Sequence, residues 1–204
     1  NKTTVFDNVN VYDENGAWKY TDKKYWNKTA TYNFYAIAPY ESPATYSLND
    51  GKFTVDGVAS GLATASVDYV IDRTPTDECS ISGASTPSAV GFEFHHIMAK
   101  LSFAVKTNLE GSIIKVQSLT MTGWNNGAGK FVQTKTDGTW EELNASEWTI
   151  ATPATGSATL IGTGSGNAEE VTLSSNATAL NDIYIMVPQT IAAKTLTFTV
   201  NYTI

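Results

Sequence analysis

The segment Val90-Gly-Phe-Glu-Phe-His-His-Ile-Met-Ala-Lys-Leu-Ser-Phe-Ala-Val-Lys106 constrains the fold more than any other part of the chain. Phe92, Phe94, His96 and Met98 fall on every second residue, which is the side-chain period of a β-strand. The apolar residues then change parity, and Leu101, Phe103 and Val105 carry the pattern onward. One extra residue near Ala99 or Lys100 accounts for the slip, as a β-bulge does. The spacing predicts a long strand that changes face midway and passes from one packed environment to another. On that reading His96 is buried in the sheet, in phase with Phe92, Phe94 and Met98, and a buried polar ring needs a polar partner.

The rest of the chain repeats the theme. No window keeps apolar residues at helical spacing for three turns. Short strands and turns follow one another instead. Val5-Phe6 with Val9 and Val11 leads to a turn at Asp13-Glu-Asn-Gly16. Thr31-Tyr-Asn-Phe-Tyr-Ala-Ile-Ala-Pro39 is apolar on both faces and reads as a central strand. Asn49-Asp-Gly51 is a hairpin signal before Lys52-Phe-Thr-Val55. Val67 to Asp72 precedes the longest loop, residues 73–89. A second series runs from Ile113 to Ile204. Its final stretch alternates without a break: Leu196, Phe198, Val200, Tyr202 and Ile204 against Thr195, Thr197, Thr199, Asn201 and Thr203. It reads as a strand edge that expects continuation. Regularly spaced strands without helices mean a sandwich or barrel. About six strands before residue 108 and about seven after it each match one Greek-key sandwich. The expected division is therefore residues 1–108 and 109–204.

Composition agrees and removes some functions. Charged residues are 16% against a usual ~25%, and Thr and Ser fill the gap at roughly a fifth of the chain. Thr favours strands and carries a polar tip, so exposed faces should be hydroxyl-covered sheet. A net charge of −7 and a pI of 4.7, with no basic run, oppose binding to phosphate backbones, so no nucleic acid is expected. No apolar run is long enough to span a membrane as a helix. Cys79 is the only cysteine, which excludes an internal disulfide.

Residues that invite chemistry have simpler readings. Adjacent strand residues His95 and His96 point to opposite faces and cannot share a metal ion. Cys79 lies in the long loop without a nucleophile motif. Gly162-Thr-Gly-Ser-Gly166 lacks the Gly-Lys-Ser/Thr ending of a phosphate loop. Asp13-Glu-Asn-Gly16 lacks calcium-loop spacing. Glu141-Glu142 and Glu169-Glu170 are adjacent pairs, not opposed across a cleft. No catalytic residue, metal or cofactor is expected. Trp124 and Trp140 flank turn signals, and tryptophans at loops can stack on sugar rings, so these two are the glycan candidates.

Several motifs carry a resemblance. Phe94-x-His96-x-Met98-Ala99-Lys100-Leu101-x-Phe103 is similar to the central motif of the fimbrillin-like proteins of Bacteroidales, type V pilus subunits and related surface lipoproteins. Tyr25-Trp26 with Tyr32 to Tyr40 resembles the family's aromatic strand. Ile183-Tyr-Ile-Met-Val-Pro188-Gln189 resembles its "PQ" strand. The resemblance implies two tandem transthyretin-like Greek-key β-sandwiches. It marks Phe94, His96, Ala99, Lys100, Pro188 and Gln189 as structural motif residues. It implies an exported, non-enzymatic subunit of a surface fimbria at the outer membrane, acting in adhesion. Assembly would be by donor-strand exchange, with other copies or related pilus subunits as partners and a host glycan or protein as receptor. A surface glycan-binding lipoprotein on the same fold is the alternative. Family members carry a lipoprotein signal and strands before the position of Val5, and a closing strand and tail after that of Ile204. The first sandwich is thus expected without its opening strands, the second without its last strand, and the unit is expected to accept a strand from elsewhere.

Overall fold

Alternation at a period of two leaves the strand as the natural element, and the computed structural model is all-β with several sheets. It describes residues 4–25, 27, 30–49, 52–72, 78–80, 89–136, 139–140 and 147–204. The strands are β1 (Tyr12–Glu14), β2 (Ala17–Lys19), β3 (Thr31–Asn33), β4 (Ile37–Ala38), β5 (Thr45–Asn49), β6 (Lys52–Val58) and β7 (Gly61–Leu62). Next come β8 (Val70–Asp72), β9 (Glu78–Ser80), β10 (Phe94–His96), β11 (Ala99–Val105), β12 (Lys115–Asn125) and β13 (Gly129–Thr136). The remainder are β14 (Thr139–Trp140), β15 (Trp148–Ile150), β16 (Thr155–Ile161), β17 (Val171–Thr172), β18 (Thr178–Met186) and β19 (Thr197–Thr203).

The turn before β2 forms as its residues demand. Asn15 and Gly16 both hold positive φ, 58° and 79°, as a two-residue hairpin loop needs. The Gly16 N–H donates to Asp13 Oδ1 at 3.2 Å. The hairpin signal at Asn49-Asp-Gly51 and the long loop fall partly outside the described residues, and the Glu141-Glu142 pair falls wholly outside them. Of the strands expected near the start, Val5 to Val11 forms none; the first is β1.

Two cores organise the sheets. In the first, β6 lies between β5 and β13, and β15 pairs with β13. Phe53, Val55 and Val58 of β6 meet Phe131, Trp148, Tyr69, Ile71, Ile97 and Met98. In the second, β12 pairs with β16 and β17 along one edge and with β19 along the other. Its partner sheet is β7-β18-β11. Val116, Leu119, Met121, Trp124, Leu160, Ile161, Tyr184 and Met186 fill the space between.

Strand β18 is the wall between the cores. Tyr184 and Met186 belong to the second, while Ile185 and the following Val187 belong to the first. That is why Ile183 to Val187 is an unbroken apolar run: a strand buried on both faces has no polar side. The β6–β13 and β7–β18 ladders join segments from either side of residue 108, and each core draws on both.

The expected face change in the signature segment occurs, but earlier than the spacing placed it. No bulge lies at Ala99 or Lys100. The strand breaks between β10 and β11, and Ile97 and Met98 both bury in the first core at the break. The register shift in the β11–β18 ladder lies in β18, where Asn181 and its neighbours are extra opposite Phe103. β11 itself keeps a regular alternation.

Candidate functional site

Strands β11 and β19 both border the second core and leave part of its edge exposed. Ala99, Phe103 and Val105 of β11 turn toward the core, as does Leu196 just before β19. The Phe103 ring meets Phe198 of β19 at 6.2 Å and Tyr184 of β18 at 6.2 Å, both edge to face. Phe198 therefore points inward, and the period of two puts Val200 and Tyr202 on that same face. An inward face should be covered. Phe198, Val200 and Tyr202 are instead 47%, 48% and 53% exposed, and Leu101 opposite them is exposed as well.

Both strands are edges of their sheets. β11 pairs with β18 on one edge, and β19 pairs with β12 on one edge. Among the described residues no ladder occupies the other edge of either. The sheet β7-β18-β11 ends at β11, whose Phe103 packs on Phe198, and the rest of the β19 face stays half exposed. A strand hydrogen-bonded to the outer edge of β11, ~4.8 Å away, would lie across the β19 face.

The polar side of this seam is one-signed. Lys100, Ser102, Ala104 and Lys106 alternate with the core-facing residues and are exposed. Residues 99–108 and 187–204 contain Lys100, Lys106 and Lys194 and no Asp or Glu. Beneath the seam, burial raises the Tyr184 phenol above its ordinary value, and the Asp182 charge adds to the shift.

Gln189 fixes the far end of β12. Its side-chain Oε1 accepts from the Asn125 N–H at 2.8 Å, and its Nε2 donates to the Asn125 carbonyl at 2.9 Å. The side-chain amide thus replaces a neighbouring strand. The Asn125 side chain closes the loop in turn, accepting from Gly127 and Ala154 N–H groups at 3.1 and 3.0 Å. Pro188 directs the chain out of β18 into this clasp. Sequence reading marked Gln189 but missed Asn125, whose Asn-Asn-Gly context read simply as a turn.

Other singled-out residues fall elsewhere. Phe94 is exposed on β10, with its ring 6.3 Å from Phe92. His96 corrects the expectation of burial: its side chain is 70% exposed. It has the expected polar partner, with Nδ1 2.9 Å from Asp68 Oδ2. The ring sits on β10, an edge strand of its sheet, where one face is solvent. His95 faces Glu93 instead, at 3.4 Å. Among the described residues no His, Cys, Asp and Glu group could hold a metal. Trp124 is 5% exposed and corrects its reading as a sugar platform. Its indole lies flat against Gly156, where any Cβ would collide with the ring, and its Nε1 donates to Asn126 Oδ1 at 3.4 Å. The backbone of Trp140, in β14, pairs with Lys135 of β13; the Trp140 side chain lies outside the described residues, as does that of Cys79.

The fold is all-β, with an apolar strand face half exposed at the edge of its second core. The model of the fimbrillin-like family matches residues 1–204, and the chain belongs to that family. The family is structural and non-enzymatic, one of fimbrial subunits that assemble with other subunits at the cell surface. Among curated proteins and among solved structures, nothing matches this chain. No helix among the described residues is long and apolar enough to cross a membrane.

Proposed function

We propose that this protein is a structural subunit of a type V-like surface pilus and that the β11–β19 seam accepts a strand from a neighbouring subunit. The half-exposed, inward-pointing face of β19 carries the reading. Main-chain groups along the outer edge of β11 would supply the ladder, and the face of Phe198, Val200 and Tyr202 would supply pockets for alternate side chains, as in β-strand addition. Each hydrogen bond would contribute ~1 kcal/mol net and each fully buried apolar side chain ~1.5–3 kcal/mol. Ordering each immobilised side chain costs about 0.5–1.5 kcal/mol, and the loss of translational and rotational freedom adds to that. A seven-residue strand still gains. A donated strand makes a heterologous contact that does not close on itself, so the product is a fibre and not a symmetric dimer. Open edges of this kind pair indiscriminately unless filled, which favours a dedicated donor.

Tandem transthyretin-like sandwiches, export as an outer-membrane lipoprotein and an adhesive role come from the family likeness alone. The burial of Trp124 takes away one of the two residues on which a glycan-binding reading stood.

A structure of the native assembled fibre, with mass spectrometry of its chains, tests the proposal. The expected result is a strand of a neighbouring chain paired to β11 and lying over β19. A fibre in which residues of the same chain cover β19, or in which β19 stays open, overturns it.

A further inference from the structure

We infer that the strand received at the β11–β19 seam carries carboxylates six residues apart on its core-averted face, opposite Lys100 and Lys106. The inference rests on the strand-acceptor reading above and specifies its partner. β11 runs without a bulge of its own, so parity is kept from Ala99 to Lys106. Lys100, Ser102, Ala104 and Lys106 therefore share one face, and a strand on the outer edge of β11 must place its alternate side chains beside them. Directly opposed residues bring their Cβ atoms to about 4.5–5.5 Å, close enough for ion pairing. Lys100 and Lys106 are six residues apart, ~20 Å along a strand, so one seven-residue segment reaches both.

Two observations mark these lysines. Lys19, Lys115 and Lys130 each sit beside a carboxylate of the same sheet surface: Glu14, Glu170 and Asp56. Among the described residues, Lys100 and Lys106 have no such ion pair, in common with Lys23, Lys24, Lys52 and Lys194; what sets them apart is that both lie on one exposed face of β11 and its immediate continuation. In a chain of net charge −7, the two segments that form the seam nevertheless hold no acidic side chain at all. The pattern this dictates for the donor is acid, apolar, any, apolar, any, apolar, acid. Its apolar positions lie across from Leu101, Phe103 and Val105 and over Phe198, Val200 and Tyr202. Lysine at either end would meet like charge on the lysine beside it.

The test titrates the protein with three peptides of identical alternating apolar residues whose end positions are Glu, Gln or Lys. The Glu peptide should bind tighter than the Lys peptide by about tenfold, with Gln between, from two opposed pairs. The difference should shrink in high salt. The double variant Lys100→Glu, Lys106→Glu changes only exposed side chains and should reverse the order, with circular dichroism confirming the fold. Equal binding of all three peptides overturns the inference and leaves the seam standing. A preference unchanged in the double variant overturns it too, by placing the selecting charge elsewhere. No binding of any peptide overturns the seam reading and this inference together.

Discussion

The tripeptide Phe-Thr-Val occurs in two strands of this molecule with opposite outcomes. In β6, Phe53 is 8% and Val55 0% exposed; in β19, Phe198 is 47% and Val200 48% exposed. Both strands alternate, both pair in register with a long neighbour, and both turn Phe and Val toward a core. The difference lies in what faces them. β6 is a middle strand, between β5 and β13, with Tyr69, Ile71 and Ile97 packed over it. β19 is an edge strand whose opposite sheet stops at β11. Local sequence specifies which side chains share a face. Whether the strand is central or at the edge of its sheet decides whether that face is dry.

The largest expected effect separates the two phenylalanines. Phe53→Ala should cost about 3–5 kcal/mol in unfolding free energy, since it leaves a cavity in a closed core. Phe198→Ala should cost about 1 kcal/mol in the isolated protein, because half the ring already meets water and its main loss is the edge-to-face contact with Phe103. Urea unfolding of both variants measures the gap. Equal costs would mean that β19 is covered in solution. The valines give a smaller, cleaner pair. Val55→Thr buries an unpartnered hydroxyl and should cost about 1–3 kcal/mol, whereas Val200→Thr should stay within about 0.5 kcal/mol. Once a donor strand is bound, Val200→Thr should become costly and Val55→Thr should not change.

The periodic elements were legible in the sequence to the degree that period implies face. The alternation from Leu196 to Ile204 gave the strand and its apolar side correctly. The run from Thr31 to Pro39, read as one central strand, is instead two short strands, β3 and β4, in different sheets. His96 and Trp124 failed for one shared reason: exposure depends on non-local pairing. His96 was in phase with Phe92 and Phe94, but that face of β10 is itself exposed at a sheet edge, so its phase carried no burial. Trp124 stood beside a turn signal, yet β12 continues to Asn125 and Gly156 on β16 opens a slot for the indole. The role proposed for Lys106 was not legible, because a lysine at the end of a strand looks like any solvated charge until the outer edge of β11 is found without a ladder among the described residues.

Amide exchange extends the comparison to the backbone. Alternate N–H groups of β19 bond to β12, and the others point to the outer edge. Those outward amides should exchange quickly, while the amides of β6 from Lys52 to Asp56, paired with both β5 and β13, should be protected. A bound donor strand should protect the outer-edge amides of β11 and leave β6 unchanged. Uniform protection of β11 in the free protein would show that its outer edge is occupied.

The smallest effect compares two tyrosines. Burial raises the phenol of Tyr46, which packs against the first core; its hydrogen bond with Ser42 lowers it, and Tyr69 raises it further. Burial raises Tyr184 in the second core, with Asp182 adding to the shift. Both folded values therefore lie above the ordinary 10.0 of the unfolded chain. Below that pH both states keep their phenol protons, and the contribution to stability is fully present. As pH rises past it, the unfolded chain releases protons first, and stability falls until the folded phenols ionise too. Tyr46→Phe and Tyr184→Phe should each flatten part of this alkaline decline in a urea-unfolding series. Donor binding should then distinguish the two. Tyr184 lies behind Phe103 at the open seam, so a bound strand removes water from its surroundings and should raise its phenol further, whereas Tyr46 lies in a core that is already closed. Phenolate absorbance, followed with and without the Glu-ended peptide in the two single Phe variants, should move for Tyr184 alone. An equal shift of both tyrosines would mean that the strand tightens the whole molecule and not the seam.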